Sequence, residues 1–271
     1  MGIIDQLKLY KRFLYALCHQ EVEAWRYIHE YVPKHPEIFK RLERFKNIHK
    51  GQRCFIVATG PSLTLEDVKK LKGEICLTCN SGLNIFRKAG FMPDYYAFSD
   101  GGAYKLMKDH IDYTKLKCIF YNAKDIEMTG DNCYALPMWV NLFMSAQDRV
   151  SLPWSWRKSK MSDDISRKVY MCGSVVHVLV QICFYMGFRE IYLLGTDCTS
   201  VLQHSKDADF SQKPKITQEK LLKEKYICYT YIQDYKVAKK LARKLNVKIY
   251  NATRGGMLEV YPRVNLDDVI K

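Results

Sequence analysis

The sequence predicts an α/β fold: a Rossmann-like, mostly parallel sheet with helices on both faces, preceded by N-terminal helices. Three observations predict it. From Arg53 onward, short apolar runs of strand length alternate with segments of helix length, the pattern of a parallel sheet whose crossovers are helices. Most of the strand-like runs end on a small polar residue: Thr59, Asn80, Asp100, Asn122, Asp197 and Asn251. With 271 residues, 48% of them hydrophobic, the chain is long enough to bury the core that such a sheet needs.

The reading divides the chain into an N-terminal helical segment, residues 1–50, and an α/β domain, residues 51–271. In the first, Ile3, Leu7, Tyr10, Leu14 and Leu17 recur at helical spacing, with Lys8, Lys11 and Arg12 off that stripe. The favoured reading packs this helix on the α/β domain or on a second subunit, because an apolar stripe usually finds protein first. The alternative is a basic amphipathic helix resting on the inner leaflet of a membrane. Pro33 and Pro36 are expected to separate it from a second helix over 36–49.

The second part begins with an apolar strand, Cys54 to Ala58, then Thr59-Gly60-Pro61-Ser62-Leu63 and a helix over 64–72. A strand, a Gly turn and a Pro near the first helical position can aim free N–H groups and the helix dipole at an anion such as a phosphate. The stretch is neither a Walker loop nor a dinucleotide fingerprint, and by itself a Gly-Pro turn is more often plain punctuation. Further strands are expected at 75–79, 95–99, 117–121, 133–136, 190–195 and 247–250. Helices are expected at 81–89, 103–111, 175–186 (stopped by Gly187) and 216–245. Residues 137–170, with Trp139, Trp154 and Trp156, are irregular, as a lid or mobile loop would be.

In an open α/β sheet the strand carboxyl ends share one edge, and ligands bind there. The small polar residues that end the strands therefore point to a common crevice, although each also suits a turn or helix cap. Gly173 and Ser174 start a second helix toward the same edge. His177, one turn into that apolar helix, reads as a core residue. His204, in a polar loop after the strand at 190–195, is the best general acid/base candidate, because an imidazole titrates near neutrality.

Ten cysteines lie mostly within apolar runs, as buried free thiols do, and point to a reducing, cytoplasmic setting. The C-x-x-C at Cys76 and Cys79 sits in a strand, where i and i+3 point to opposite faces, so no zinc site is expected. No signal peptide is visible, and the longest apolar run, Val175 to Phe188, is too short to span a bilayer. The net charge of +14 favours anionic substrates, polyanions or membrane surfaces, yet no nucleic-acid-binding motif accompanies it.

Several ordered motifs carry a resemblance. They are Gly60-Pro-Ser-Leu63 after the first strand, Cys79-Asn80, Met92-Pro-Asp-Tyr95 leading to Asp100, and Cys172-Gly-Ser-Val175. The run from Gly187 to Asp197, then His204, and Tyr250-Asn-Ala-Thr253 complete the set. Over about residues 51 to 265 the chain resembles the 6-hydroxymethylpterin diphosphokinase-like family, formerly a domain of unknown function. That family is similar in turn to bacterial sialyltransferases that use a CMP-sugar.

The resemblance implies a transferase with a nucleotide-binding domain. In the sialyltransferases an Asn precedes the GPSL turn, where this chain has Thr59. Asn80 matches the Asn after the second strand, and Asp100 replaces a later Asn. Gly173 and Ser174 match a helix start that contacts the sugar nucleotide; the two tyrosines that hold the donor phosphate in the sialyltransferases have no clear equivalent here, and Thr199 occupies the place of one of them. His204 matches the base in order but follows its strand more closely.

The implied function is a glycosyltransferase with a nucleotide-sugar donor, CMP-sugar favoured, and a cell-surface or lipid-linked glycan acceptor. The donor would contact Thr59, Gly60, Pro61, Ser62, Asn80, Asp100, Asn122, Gly173, Ser174, Asp197 and Thr199, with His204 as base and no resident metal. Such an enzyme would be cytoplasmic, at most peripheral to the inner membrane, and able to form a homo-oligomer. The alternative is ATP-dependent diphosphokinase chemistry, with phosphates at Gly60 to Ser62 and magnesium held by Asp100 or Asp197. A third reading is a non-catalytic scaffold in polysaccharide biosynthesis.

Overall fold

The strand-like runs assemble into one sheet. In this computed structural model the described residues are 3–15, 18–19, 21–110, 112–139, 160–171, 173–199, 205–208 and 218–270. The strands are β1 (Arg53–Val57), β2 (Cys76–Cys79), β3 (Tyr95–Phe98), β4 (Ile119–Asn122), β5 (Cys133–Leu136), β6 (Met138–Trp139), β7 (Val169–Tyr170), β8 (Glu190–Leu194) and β9 (Lys248–Asn251). Seven of them form a sheet in the order β5-β4-β3-β2-β1-β8-β9, and every pairing is parallel. β6 and β7 form a small parallel pair of their own, which the irregular composition of 137–170 did not announce.

The helices are α1 (Ile3–Tyr15), α2 (Glu21–Arg26), α3 (Val32–Lys34), α4 (Pro36–Phe39), α5 (Leu65–Lys70), α6 (Gly82–Ala89), α7 (Gly101–Met107), α8 (Val175–Met186), α9 (Gln218–Lys244) and α10 (Leu266–Val269). The single helix expected over 36–49 is instead α4 followed by a 3₁₀ turn, Lys40–Phe45. Pro36 sits at the first helical position of α4, where its missing N–H costs nothing.

Both faces of the sheet are covered because the strands are apolar on both faces. Cys54 and Ile56 of β1 pack with α8 on one side, while Phe55 and Val57 pack with Val68, Leu71, Ile85 and Phe86 on the other. Cys76 and Cys79 fall on opposite sides of the sheet, as the strand period requires. All twelve residues of α8 are buried, so this helix is a central core element. Residues 45–51 are tied to its end: Asn47, His49 and Gly51 donate their N–H groups to Tyr185, Met186 and Gly187 at 3.0, 2.9 and 3.1 Å. Leu42 and Phe45 join the same core.

α1 is different. Every side chain described in it is exposed, so these side chains do not pack on the α/β domain, the first of the two partners that the favoured reading offered; Leu17 of the stripe lies outside the described residues.

Candidate functional site at the carboxyl edge of the sheet

From β1 the sheet grows one way through β2 to β5 and the other way through β8 and β9. The direction in which strands are added therefore reverses between the parallel neighbours β1 and β8, which is where an open α/β sheet leaves a crevice. A cavity of about 310 Å³ opens there. Its walls include Thr59 and Gly60 after β1, Asn80 after β2, Asp100 after β3, Gly173 and Ser174 before α8, and Asp197 after β8. Seven of the residues singled out from sequence thus meet on one surface, from four strand ends and one helix start.

The Gly-Pro stretch is built otherwise than expected. Gly60 to Leu63 is a β-turn closed by the Leu63 N–H on the Gly60 carbonyl at 3.1 Å, with Pro61 at the second position. The helix begins only at Leu65, capped by Thr64 and Asp67 in a reciprocal capping box. The N–H groups that were expected to receive a phosphate are already used. Gly60 donates to the Gly195 carbonyl at 2.7 Å, Ser62 to Asp197 Oδ1 at 3.2 Å and Leu65 to Asp207 Oδ2 at 3.0 Å. Two of the protein's own carboxylates occupy the anion positions.

Asp197 is the centre of this arrangement. Its Oδ2 also accepts the Ser62 hydroxyl at 2.9 Å. A Cβ on residue 60 would stand 2.0 Å from Asp197 Oδ2 and 2.4 Å from the Gly195 carbonyl oxygen, so only glycine lets β1 and β8 close this tightly. Burial pushes the Asp197 carboxyl up from the ordinary range, opposed by the Ser62 hydroxyl and N–H and by the charge of Arg263. Its backbone carbonyl accepts the Met257 N–H at 2.7 Å, which ties the turn after β9 to the cavity wall.

The other strand ends divide into two kinds. Asn80 adopts φ 48°, a left-handed conformation uncommon outside glycine, and its carbonyl accepts the Tyr96 hydroxyl at 2.8 Å. Its carboxamide has no partner among the described residues and lines the cavity. Cys198, beside Asp197, has φ 53°, and non-glycine residues held there cluster at functional sites. Asp100 caps α7 through the Ala103 N–H at 2.7 Å while remaining exposed. Asn122 and Asn251, by contrast, are fully buried and serve their own loops. Asn122 donates to the Ser99 carbonyl and to Asp125, and Asn251 donates to the Leu258 carbonyl. Neither lines the cavity, and nor do Pro61, Ser62 or Thr199.

α8 starts at the cavity. Ser174 is its N-cap, accepting the Val176 N–H at 3.3 Å, and Val175 and Val176 continue the wall. His177 is fully buried against the Tyr235 ring, 4.2 Å between centroids, in line with its reading as a core residue. His204 lies outside the described residues. Its neighbour Ser205 is held at the β1 turn, with its N–H on the Thr59 carbonyl at 2.8 Å and its hydroxyl on the Leu63 carbonyl at 2.6 Å.

The sequence reading missed the far wall: Cys228, Tyr231 and Tyr235 of α9. Their spacing places them on one helix face, which Ala238 and Ala242 continue toward the C-terminus, apart from the stripe of Val237, Leu241 and Leu245; that helical periodicity was the available signal. A Cβ on Gly173 would stand 2.0 Å from the Tyr231 ring, so this glycine lets α9 approach the start of α8. Burial pushes the thiols of Cys79 and Cys198 up to about 12, so both are neutral and unreactive near neutral pH. Among the described residues no cluster of His, Cys, Asp and Glu is arranged to hold a metal ion. No described helix is long and apolar enough to cross a membrane.

The fold and cavity define a doubly wound α/β protein with a cleft at its topological switch point. The chain belongs to the family described as 6-hydroxymethylpterin diphosphokinase MptE-like, whose profile matches residues 29–201. That range begins within the N-terminal helical segment and ends before the Tyr250–Thr253 motif. A solved MAf glycosyltransferase from Magnetospirillum magneticum AMB-1 has a similar fold, with a TM-score of 0.52 and 15% sequence identity. The similarity covers 86% of this chain and 38% of the other, so this chain spans well under half of that protein's length. Comparison with curated proteins finds no match.

Proposed function

We propose that the chain is a glycosyltransferase that takes its sugar from a nucleotide donor, a CMP-sugar by preference. The observation that carries this is the cavity at the β1/β8 switch, lined in part by Thr59, Gly60, Asn80, Asp100, Gly173, Ser174 and Asp197. The Asn80 carboxamide and Asp100 suit the hydrogen-bonding groups of a base or ribose. The start of α8 suits the phosphate, since the positive end of a twelve-residue helix meets the cavity at Ser174. The fold similarity to a glycosyltransferase supports the reading.

Charge favours a CMP-sugar over ATP. The titratable carboxylates on the described walls are Asp100 and Asp197, and no Lys or Arg stands among those wall residues. A donor with one phosphate meets less repulsion there than a triphosphate. Diphosphokinase chemistry, which the family description favours, would need a divalent ion to offset that repulsion. It predicts AMP release that depends on ATP and magnesium. Glycosyl transfer predicts CMP release that depends on an acceptor glycan.

His204 is proposed to deprotonate the acceptor hydroxyl, a role supported by its sequence position next to the anchored Ser205. In a transfer assay with a CMP-sugar and a glycan acceptor, His204→Ala is expected to lower kcat by about 100-fold or more, the usual contribution of a general base. Unchanged kcat would remove His204 from that role.

A further inference from the structure

Eleven large hydrophobic residues are exposed among those described, and nine of them lie between Ile3 and Tyr31. Ile3, Ile4, Leu7 and Leu14 of α1 are 78%, 68%, 64% and 58% exposed. At about 100° per residue, Ile3, Leu7, Tyr10 and Leu14 fall within an arc of about 60°. Lys11 and then Lys8 follow on one flank, and Asp5 is the only acidic residue in the helix. Val22 and Trp25 of α2 add exposed apolar surface next in the chain.

A helix of thirteen residues is marginal in water and normally relies on packing of its apolar face. In α1 the aliphatic side chains of Ile3, Leu7 and Leu14 stay more than half exposed. Two occupants are compatible with the stripe. The 4-3-4 spacing of Ile3, Leu7, Tyr10 and Leu14 is that of a coiled coil, but it extends over fewer than the three or four heptads that such pairing usually needs. The flanking lysines, an aromatic at the neighbouring position 25 and a net charge of +14 fit an anionic bilayer better.

We infer that α1 lies in the plane of an anionic lipid surface, with Ile3, Leu7 and Leu14 in the acyl boundary and Lys8 and Lys11 at the headgroups. Nothing in this depends on the reaction performed at the cavity.

The test is sedimentation of the full chain with vesicles of phosphatidylcholine alone and of phosphatidylcholine mixed with phosphatidylglycerol. Binding to the mixed vesicles is expected, weakening as salt is raised because the electrostatic part is screened. Leu7→Asp and Leu14→Asp are each expected to weaken it by about tenfold or more, since each removes a buried leucine. Lys8→Glu with Lys11→Glu is expected to remove the preference for anionic lipid. These positions are exposed, so an unchanged thermal transition of each variant is the check on folding. Failure of the wild type to sediment with mixed vesicles would overturn the inference. So would vesicle binding unaffected by the leucine changes. A dimer in solution that the leucine changes dissociate, without any vesicle binding, would assign the face to a second copy instead.

Discussion

At the scale of the residue, Asp197 ties the site together. Its carboxylate takes the Ser62 N–H and hydroxyl, stands against Gly60 and faces the cavity, and burial raises its proton affinity. The sign for stability follows from linkage. A carboxyl whose folded pKa lies above its unfolded value contributes most below the ordinary carboxylate pKa. That contribution is lost as pH rises through the folded value, where a charged group must remain buried. Asp197→Asn keeps the shape and an acceptor for the Ser62 N–H but cannot ionise. Its Tm relative to wild type is therefore expected to rise as pH increases from the acid range toward neutrality. Thermal melts of both proteins across that range measure the difference, and a relative Tm that falls with pH would refute the buried-charge reading.

At the scale of the element, α8 joins core to site. Its twelve residues are buried, and its first turn opens on the cavity. Ser174→Ala removes the N-cap and is expected to cost about 1 kcal/mol, a fall in Tm of about 2–4 °C for a domain of this size. Ser174→Asp preserves the cap but adds negative charge where a donor phosphate is proposed. It is expected to retain most of the stability while weakening nucleotide binding, a separation readable from melts with and without ligand. If both variants bound nucleotide as wild type does, the phosphate would not sit at this helix.

The same scale shows what the sequence made legible. The seven strands of the sheet are short apolar runs, and all but β5, which Pro137 follows, have a clear polar stop, so their order of appearance and the edge they share follow from pattern alone. The Gly60-Pro61 turn was harder, because Pro at the first position of a helix and Pro at the second position of a β-turn look alike. The deciding signal stood one turn later, in Thr64 and Asp67, whose spacing is that of a capping box. Asn122 and Asn251 show the opposite difficulty. A strand-ending Asn can face a ligand or close its own loop, and only the tertiary partners at Ser99 and Leu258 distinguish the two. Tyr231 and Tyr235 come to the site from a helix distant in sequence, so no local motif marked them.

At the scale of the whole molecule, charge and cavity point in different directions. The chain carries +14, yet the described wall of the cleft presents Asp100 and Asp197. None of the basic surplus stands on the described wall of the cleft, so on the proposed reading a highly charged anion would meet more repulsion there than a singly charged one. A bound ligand stabilises the folded state by an amount set by its concentration relative to Kd, about 2.7 kcal/mol at a hundredfold excess. At about 2–4 °C per kcal/mol this is easily resolved in a melt. The measurement that tests the central claim most directly is therefore the thermal shift of the wild type and of Asn80→Ala with CMP, a CMP-sugar and ATP, each with and without magnesium. The account predicts a rise with CMP or the CMP-sugar that needs no metal and is diminished in Asn80→Ala. A rise with ATP and magnesium alone would contradict it.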